Sequence, residues 1–180
     1  MATAEVGEPC QDGNVAAISH KLSGVASFVF IGGREMKHSA KIKVYYADTD
    51  SYGVVWHGGY FRWLEQGRVE YLSLVGLSTE QLEKDGYVFP VVDLNCKYKN
   101  SAKNFEELMM ETTIEKMSKF SITFSQKISR IKDNSTIIEA SVTVVAIDND
   151  GKLYRRLPEF IYKPLFESID SKEHDLLVSI

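Results

Sequence analysis

Thirteen residues, Asp48 to Tyr60, hold the densest set of side chains in this chain that could do chemistry: D-T-D-S-Y-G-V-V-W-H-G-G-Y carries two carboxylates, an imidazole and three glycines. A calcium loop needs acids or amides at its first, third and fifth positions, Gly at the sixth and Glu at the twelfth. Asp48, Asp50 and Gly53 comply, but Tyr52 and Gly59 do not. Zinc has no better case, because His57 has neither a second His one helical turn away nor a C-x-x-C nearby. No G-x-S-x-G frames a serine nucleophile, and Cys96 reads as a small core residue rather than a partner of His57. No metal and no cofactor are expected.

A carboxylate in a loop that enters a helix remains. The first N–H groups of a helix lack intrahelical acceptors and share about half a positive charge, so they favour an anion or a polarised carbonyl oxygen. If a helix starts near His57, those N–H groups form an oxyanion site, and Gly58 and Gly59 leave room for a substrate to reach the backbone. Two readings stay open on loop chemistry alone. Asp48 and Asp50 are turn and capping acids, or Asp50 faces a carbonyl held at the helix terminus.

The elements that would position this loop are legible as patterns. K-I-K-V-Y-Y-A-D from Lys41 alternates Ile42, Val44 and Tyr46 on one face, the period of a half-buried strand. From His57 to about Val75 the spacing of Phe61, Leu64, Arg68, Leu72 and Val75 predicts a helix, apolar around most of its girth and therefore enclosed. Gly76 stops it, and Ser78 with Gln81 reads as the capping box of a short second helix. Four strand patterns follow, in YVFPVVDLNCKYKN, ELMMETTIEKM, KFSITFSQKISRI and STIIEASVTVVAID, with a hairpin turn at Asp150-Gly151. LYRRLPEFIYKPLF adds a final short strand or helix. Residues 1–35 read as a loosely ordered extension, and residues 36–180 as one α+β domain in which an antiparallel sheet curls around one long helix. An edge strand in such a sheet favours pairing between two copies.

The chain has 180 residues, 44% of them hydrophobic and 26% charged, which suits a single folded domain. A net charge of −4 argues against a general nucleic-acid binder. The apolar run Val25–Gly33 is far shorter than the ~20 residues that span a bilayer. Two cysteines, Cys10 and Cys96, make no disulfide framework, and the acidic first residues do not match a transit peptide, so the expected location is the cytoplasm.

The string YYADTDSYGVVWHGGYFRWLEQGRVEYL resembles the 4-hydroxybenzoyl-CoA thioesterase family of hotdog-fold enzymes, including the acyl-CoA thioesterases associated with the Tol-Pal system. The matching positions are Asp48, Asp50, Gly53, Val55, Trp56, His57, Tyr60, Glu65 and Arg68. The resemblance implies a hotdog fold and hydrolysis of acyl-CoA or acyl carrier protein thioesters. It places the catalytic carboxylate at Asp50, as general base or nucleophile, and the carbonyl-polarising N–H at His57. Asp48 takes a turn role, Gly53 permits the tight loop, and Val55, Trp56, Gly58, Gly59 and Tyr60 border the substrate, with Trp63 beside Tyr60 in the acyl pocket or core. Glu65 and Arg68 pair along the helix. Lys97, Lys99, Lys116, Lys119 and Arg130 are candidates for the phosphates of the carrier, Lys119 foremost, and Asp93 and Asn95 for a site shared with a neighbouring subunit. YKNSAKNFEEL departs from the family's Arg-Pro-Ala followed by Gly-Asp, so the carrier is left open between CoA and acyl carrier protein. A homodimer or homotetramer is expected.

Two other functions compete. A hotdog hydratase would carry Asp and His closer together in a G-D-x-N-P-x-H setting, and the Asp50 to His57 spacing without Asn-Pro speaks against it. A non-catalytic acyl-CoA sensor would keep the pocket without turnover, and Asp50 weighs against that.

Overall fold

The computed structural model describes residues 16–22, 25–32 and 34–169. Among these residues seven strands form one antiparallel sheet in the order β1-β2-β3-β5-β6-β7-β4. They are β1 (Ala16–Leu22), β2 (Val25–Gly32), β3 (Arg34–Lys43), β4 (Val91–Tyr98), β5 (Glu107–Met117), β6 (Ser121–Arg130) and β7 (Thr136–Val145). The described residues also form three α-helices: α1 (Gly59–Leu74), α2 (Thr79–Lys84) and α3 (Glu159–Glu167).

The four strand patterns after the second helix all became strands, and alternation explains why. Along β5 and β6 the buried side chains recur at every second residue (Leu108, Met110, Thr112, Ile114; Ile122, Phe124, Gln126, Ile128), which puts one face of the sheet against α1. Helix α1 packs on β3, β5 and β6. Around its first half lies a core of Val44, Trp63, Leu64, Leu108 and Met110. Around its second half Tyr71 and Leu72 pack with Phe124, Leu157, Ile161 and Leu165, so α3 closes that end.

A polar clasp fastens the helix to the sheet. Buried Gln126 donates from Nε2 to the Leu64 carbonyl at 2.8 Å and to Thr112 Oγ1 at 3.0 Å, while its Oε1 accepts from Arg68 Nη1 at 3.1 Å. His38 Nε2 on β3 lies 3.0 Å from Glu70 Oε2, within ion-pair range but off the line of a hydrogen bond. Gln66 holds the other oxygen of Glu70 at 2.8 Å.

Several expectations need correction. Residues 16–22, 25–32 and 34–35 lie in strands rather than a loose extension, consistent with the β-branched and aromatic run V-A-S-F-V-F-I-G; the rest of that extension lies outside the described residues, as do residues 170–180. The strand read from Lys41 begins earlier and ends at Lys43. After it the Asp48 carboxylate accepts from Tyr45 N–H at 2.9 Å and closes a 3-10 turn over Tyr46–Asp48, which turns Tyr46 out to 72% exposure. The central helix starts two residues after His57. It is buried on one side only, since Phe61 and Val69 are exposed. The last segment, left open between strand and helix, takes the second form as α3. Among the described residues no helix is long and apolar enough to cross a membrane.

Candidate active site

The loop between β3 and α1 is a small hairpin. Thr49 bridges Val55, Asp50 N–H donates to Val54 C=O at 2.9 Å, and Gly53 N–H donates to Asp50 C=O at 3.0 Å. Gly53 sits at φ +73°, a conformation that disfavours side chains. Trp56 N–H returns to Asp48 C=O at 3.1 Å and closes the base of the hairpin.

This folding separates the two acids. Asp48 is buried and committed on both oxygens: Oδ2 to Tyr45 N–H, and Oδ1 to Arg62 Nη2 at 2.8 Å on the first turn of α1. Asp50 is exposed at the hairpin tip. Its Oδ1 accepts from Tyr52 N–H at 2.8 Å, and among the described residues its second oxygen has no donor.

The turn into α1 holds the complementary feature. Gly59 N–H donates to Trp56 C=O at 2.9 Å, whereas the N–H groups of His57 and Gly58 have no acceptor among the described residues. Such orphan donors at a helix entrance suit a developing oxyanion. The two glycines also make room for a neighbouring ring. A Cβ on Gly58 would lie 2.2 Å from the Trp56 ring and one on Gly59 3.0 Å from its Nε1, so the missing side chains admit Trp56, which stands edge-on to His57. Tyr98 on β4 donates its hydroxyl to the His57 carbonyl at 2.9 Å.

Other expected site residues fall elsewhere. Val55 and Tyr60 are buried core residues, Tyr60 at 2% exposure and edge-on to Trp63, so neither side chain borders an open substrate surface. Lys119 and Lys116 lie at the far end of β5, about 30 Å along the strand from the loop at 102–106 that meets the hairpin, given ~3.3 Å per residue. Arg130 is occupied by Glu106 at 3.0 Å and the Ser101 carbonyl at 2.7 Å, and Lys99 lies 3.5 Å from Glu139. Lys97, Asp93 and Asn95 are exposed on β4. Arg68 bonds Gln126 instead of pairing with Glu65; burial lowers its pKa and the nearby Glu65 charge counters this. Cys96 neighbours Tyr98 rather than His57, and burial pushes its thiol up. Among the described residues no three His, Cys, Asp or Glu side chains group as a metal site.

Beside α1 a cavity of about 710 Å³ opens between its outward face and the segment 87–94, lined by Phe61, Arg68, Leu72, Phe89, Leu94 and Phe124. Sequence reasoning missed Tyr98 and Arg62 as site-forming residues. Their partners are 41 and 14 residues away, outside any local pattern.

A long helix laid on one face of an antiparallel sheet, with a carboxylate loop at its N-terminal end, defines the hotdog class. The chain belongs to the thioesterase-like superfamily, whose family model matches residues 44–165. It is 33% identical over 120 residues to the acyl-CoA thioester hydrolase YbgC of Escherichia coli O157:H7, covering 67% of this chain and 89% of that one. The DHNA-CoA thioesterase of Staphylococcus aureus superposes with a TM-score of 0.66 at 30% identity, covering 78% of this chain and 92% of that one. The 4-hydroxybenzoyl-CoA thioesterase of Pseudomonas sp. strain CBS-3 shares the fold, with a TM-score of 0.64 at 24% identity over 71% of this chain and 98% of that one.

Proposed function

We propose that this protein hydrolyses acyl-CoA or acyl carrier protein thioesters at the Asp50 hairpin. One observation carries the reading: an uncommitted carboxylate oxygen and two uncommitted N–H groups belong to one short hairpin and turn at the entrance to α1. The thioester carbonyl oxygen takes the N–H groups of His57 and Gly58. Asp50 removes a proton from water as the water oxygen bonds to the carbonyl carbon, and the tetrahedral oxyanion is held by those donors. Its collapse breaks the C–S bond, and the departing sulfur recovers the proton from Asp50, leaving a carboxylic acid and a thiol. Direct attack by Asp50 gives a mixed anhydride that water then cleaves to the same products.

The cavity along α1 suits the acyl group, because its walls are mostly apolar and it begins at Phe61, within the first turn of the helix. A second copy suits β4. Among the described residues this edge strand pairs with β7 alone, and Val91 and Val92 are exposed on it. We therefore assign a homodimer built on β4 as the working assembly; the compartment we propose is the cytoplasm, where two cysteines without a disulfide framework suit a reducing environment.

The test is a panel of acyl-CoAs and acyl carrier proteins with a thiol reagent, run with wild type and Asp50→Asn. Thiol release that Asp50→Asn abolishes supports the reading. Undiminished release in Asp50→Asn sinks the site, consumption of an enoyl-CoA without thiol release favours the hydratase, and binding without turnover favours the sensor.

A further inference from the structure

Two peptide planes flank His57, and each is tied by one hydrogen bond. The first carries the His57 N–H, and its carbonyl, that of Trp56, accepts from Gly59 N–H at 2.9 Å. The second carries the Gly58 N–H, and its carbonyl, that of His57, accepts from the Tyr98 hydroxyl at 2.9 Å. No backbone N–H among the described residues reaches the His57 carbonyl. In a planar trans peptide the C=O and N–H point in opposite directions. Drawing the His57 carbonyl toward β4 therefore turns the Gly58 N–H away from β4.

Tyr98 is itself well held. It ends β4 opposite Ile138 on β7, and its ring stands 5.8 Å from that of Tyr60, edge-on, with Tyr60 seated in the core. Burial, then the neighbouring Cys96, raises the pKa of the phenol, which keeps its proton available for donation.

We propose that Tyr98 is a positioning residue for the oxyanion site: its hydroxyl, acting through the His57 carbonyl, sets the direction of the Gly58 N–H. The inference rests on the thioesterase reading above and adds an edge-strand residue to the machinery of the helix entrance. The Gly58 donor matters most when negative charge develops on the substrate oxygen, so loss of its alignment weakens the transition state more than the bound ground state. The hydroxyl acts through a backbone carbonyl, and its removal leaves the ring and its packing in place.

The test is Tyr98→Phe. Expected are a fall in kcat of about tenfold, the scale of one net hydrogen bond, and a KM within about twofold of wild type. Thermal unfolding, measured alongside, is expected to stay close to wild type because the phenol is 47% exposed and its ring is retained. A second readout needs no turnover. With a carbonyl-labelled acyl-CoA bound to Asp50→Asn, the infrared C=O stretch is shifted down by the donors, and adding Tyr98→Phe moves it part of the way back. Wild-type turnover of the acyl panel is read first, since its absence overturns the thioesterase reading and this inference with it. Wild-type turnover with unchanged kcat in Tyr98→Phe and an unmoved C=O stretch overturns the role of Tyr98 alone. A raised KM at unchanged kcat also overturns it, because Tyr98 would then bind substrate directly.

Discussion

Arg62 on the first turn of α1 donates to Asp48 at 2.8 Å, so the first acid of the D-T-D triplet is spent on joining the hairpin to the helix, while the second stays open to solvent. The two acids should therefore fail differently. Asp50→Asn is expected to lower kcat by about 10²–10⁴, the usual range for a positioned acid–base group, with little change in unfolding. Asp48→Asn is expected to cost about 1–3 kcal/mol of stability through its charged hydrogen bonds, read from urea denaturation. Arg62→Ala should cost less than about 1 kcal/mol, because that side chain is largely solvated. The opposite pattern would exchange the roles of the two acids.

Gly58→Ala puts a methyl group into the Trp56 ring. A drop in kcat of about tenfold or more is expected, since one misaligned oxyanion donor is worth that much or more. Adding Trp56→Ala should recover part of the loss if the ring is the obstacle. No recovery would mean that the turn itself rejects a side chain at position 58.

Gln126→Leu removes the clasp on α1. It leaves a half-buried Arg68 guanidinium without its acceptor and takes one donor from the Leu64 carbonyl. The expected cost is about 2–3 kcal/mol, close to the upper range for stranding a buried polar group, measured as a shift in the urea midpoint at constant slope. A midpoint unchanged within error would show that the helix is held by apolar packing alone.

Val92→Lys places a charge on the open edge of β4. Sedimentation at micromolar concentration is expected to give a dimer for wild type and a monomer for this variant. A dimer that survives would locate the interface away from β4.

At alkaline pH the buried Tyr60 phenol should limit stability. Burial raises its folded pKa above the ordinary 10.0, against an opposing backbone hydrogen bond at Ala102. The unfolded chain then ionises first, so this contribution is complete below about pH 10 and is lost as pH rises through the folded value. Denaturation at pH 8 and pH 11 should show Tyr60→Phe losing less stability across the interval than wild type. Equal losses would place the alkaline limb on other tyrosines, such as Tyr98 and Tyr154, whose phenols are also raised.

Local chemistry that acts over a few residues was readable in the chain. The alternation along β5, β6 and β7, the 3.6-residue spacing of α1, and the turn residues Gly53 and Asp150-Gly151 each report an interaction between near neighbours. The strand read through Tyr46 failed because a side chain three residues later, Asp48, competes for the backbone and closes a turn. Helix α1 looked enclosed all round because periodicity counts apolar residues and does not say what faces them. Phe61 and Val69, both exposed, border an open cavity instead.

By itself the sequence determined the four strands from Val91 onward, the loop that carries Asp50 into a helix, and the likeness to the thioesterase family that its motif carries. Only the tertiary structure divided Asp48 from Asp50, seated Trp56 in the space over Gly58, sent Tyr60 into the core and brought Tyr98 to the His57 carbonyl. The physical reason is reach: turn and periodicity signals live within a few bonds, whereas these partners meet only after the sheet has closed over the helix.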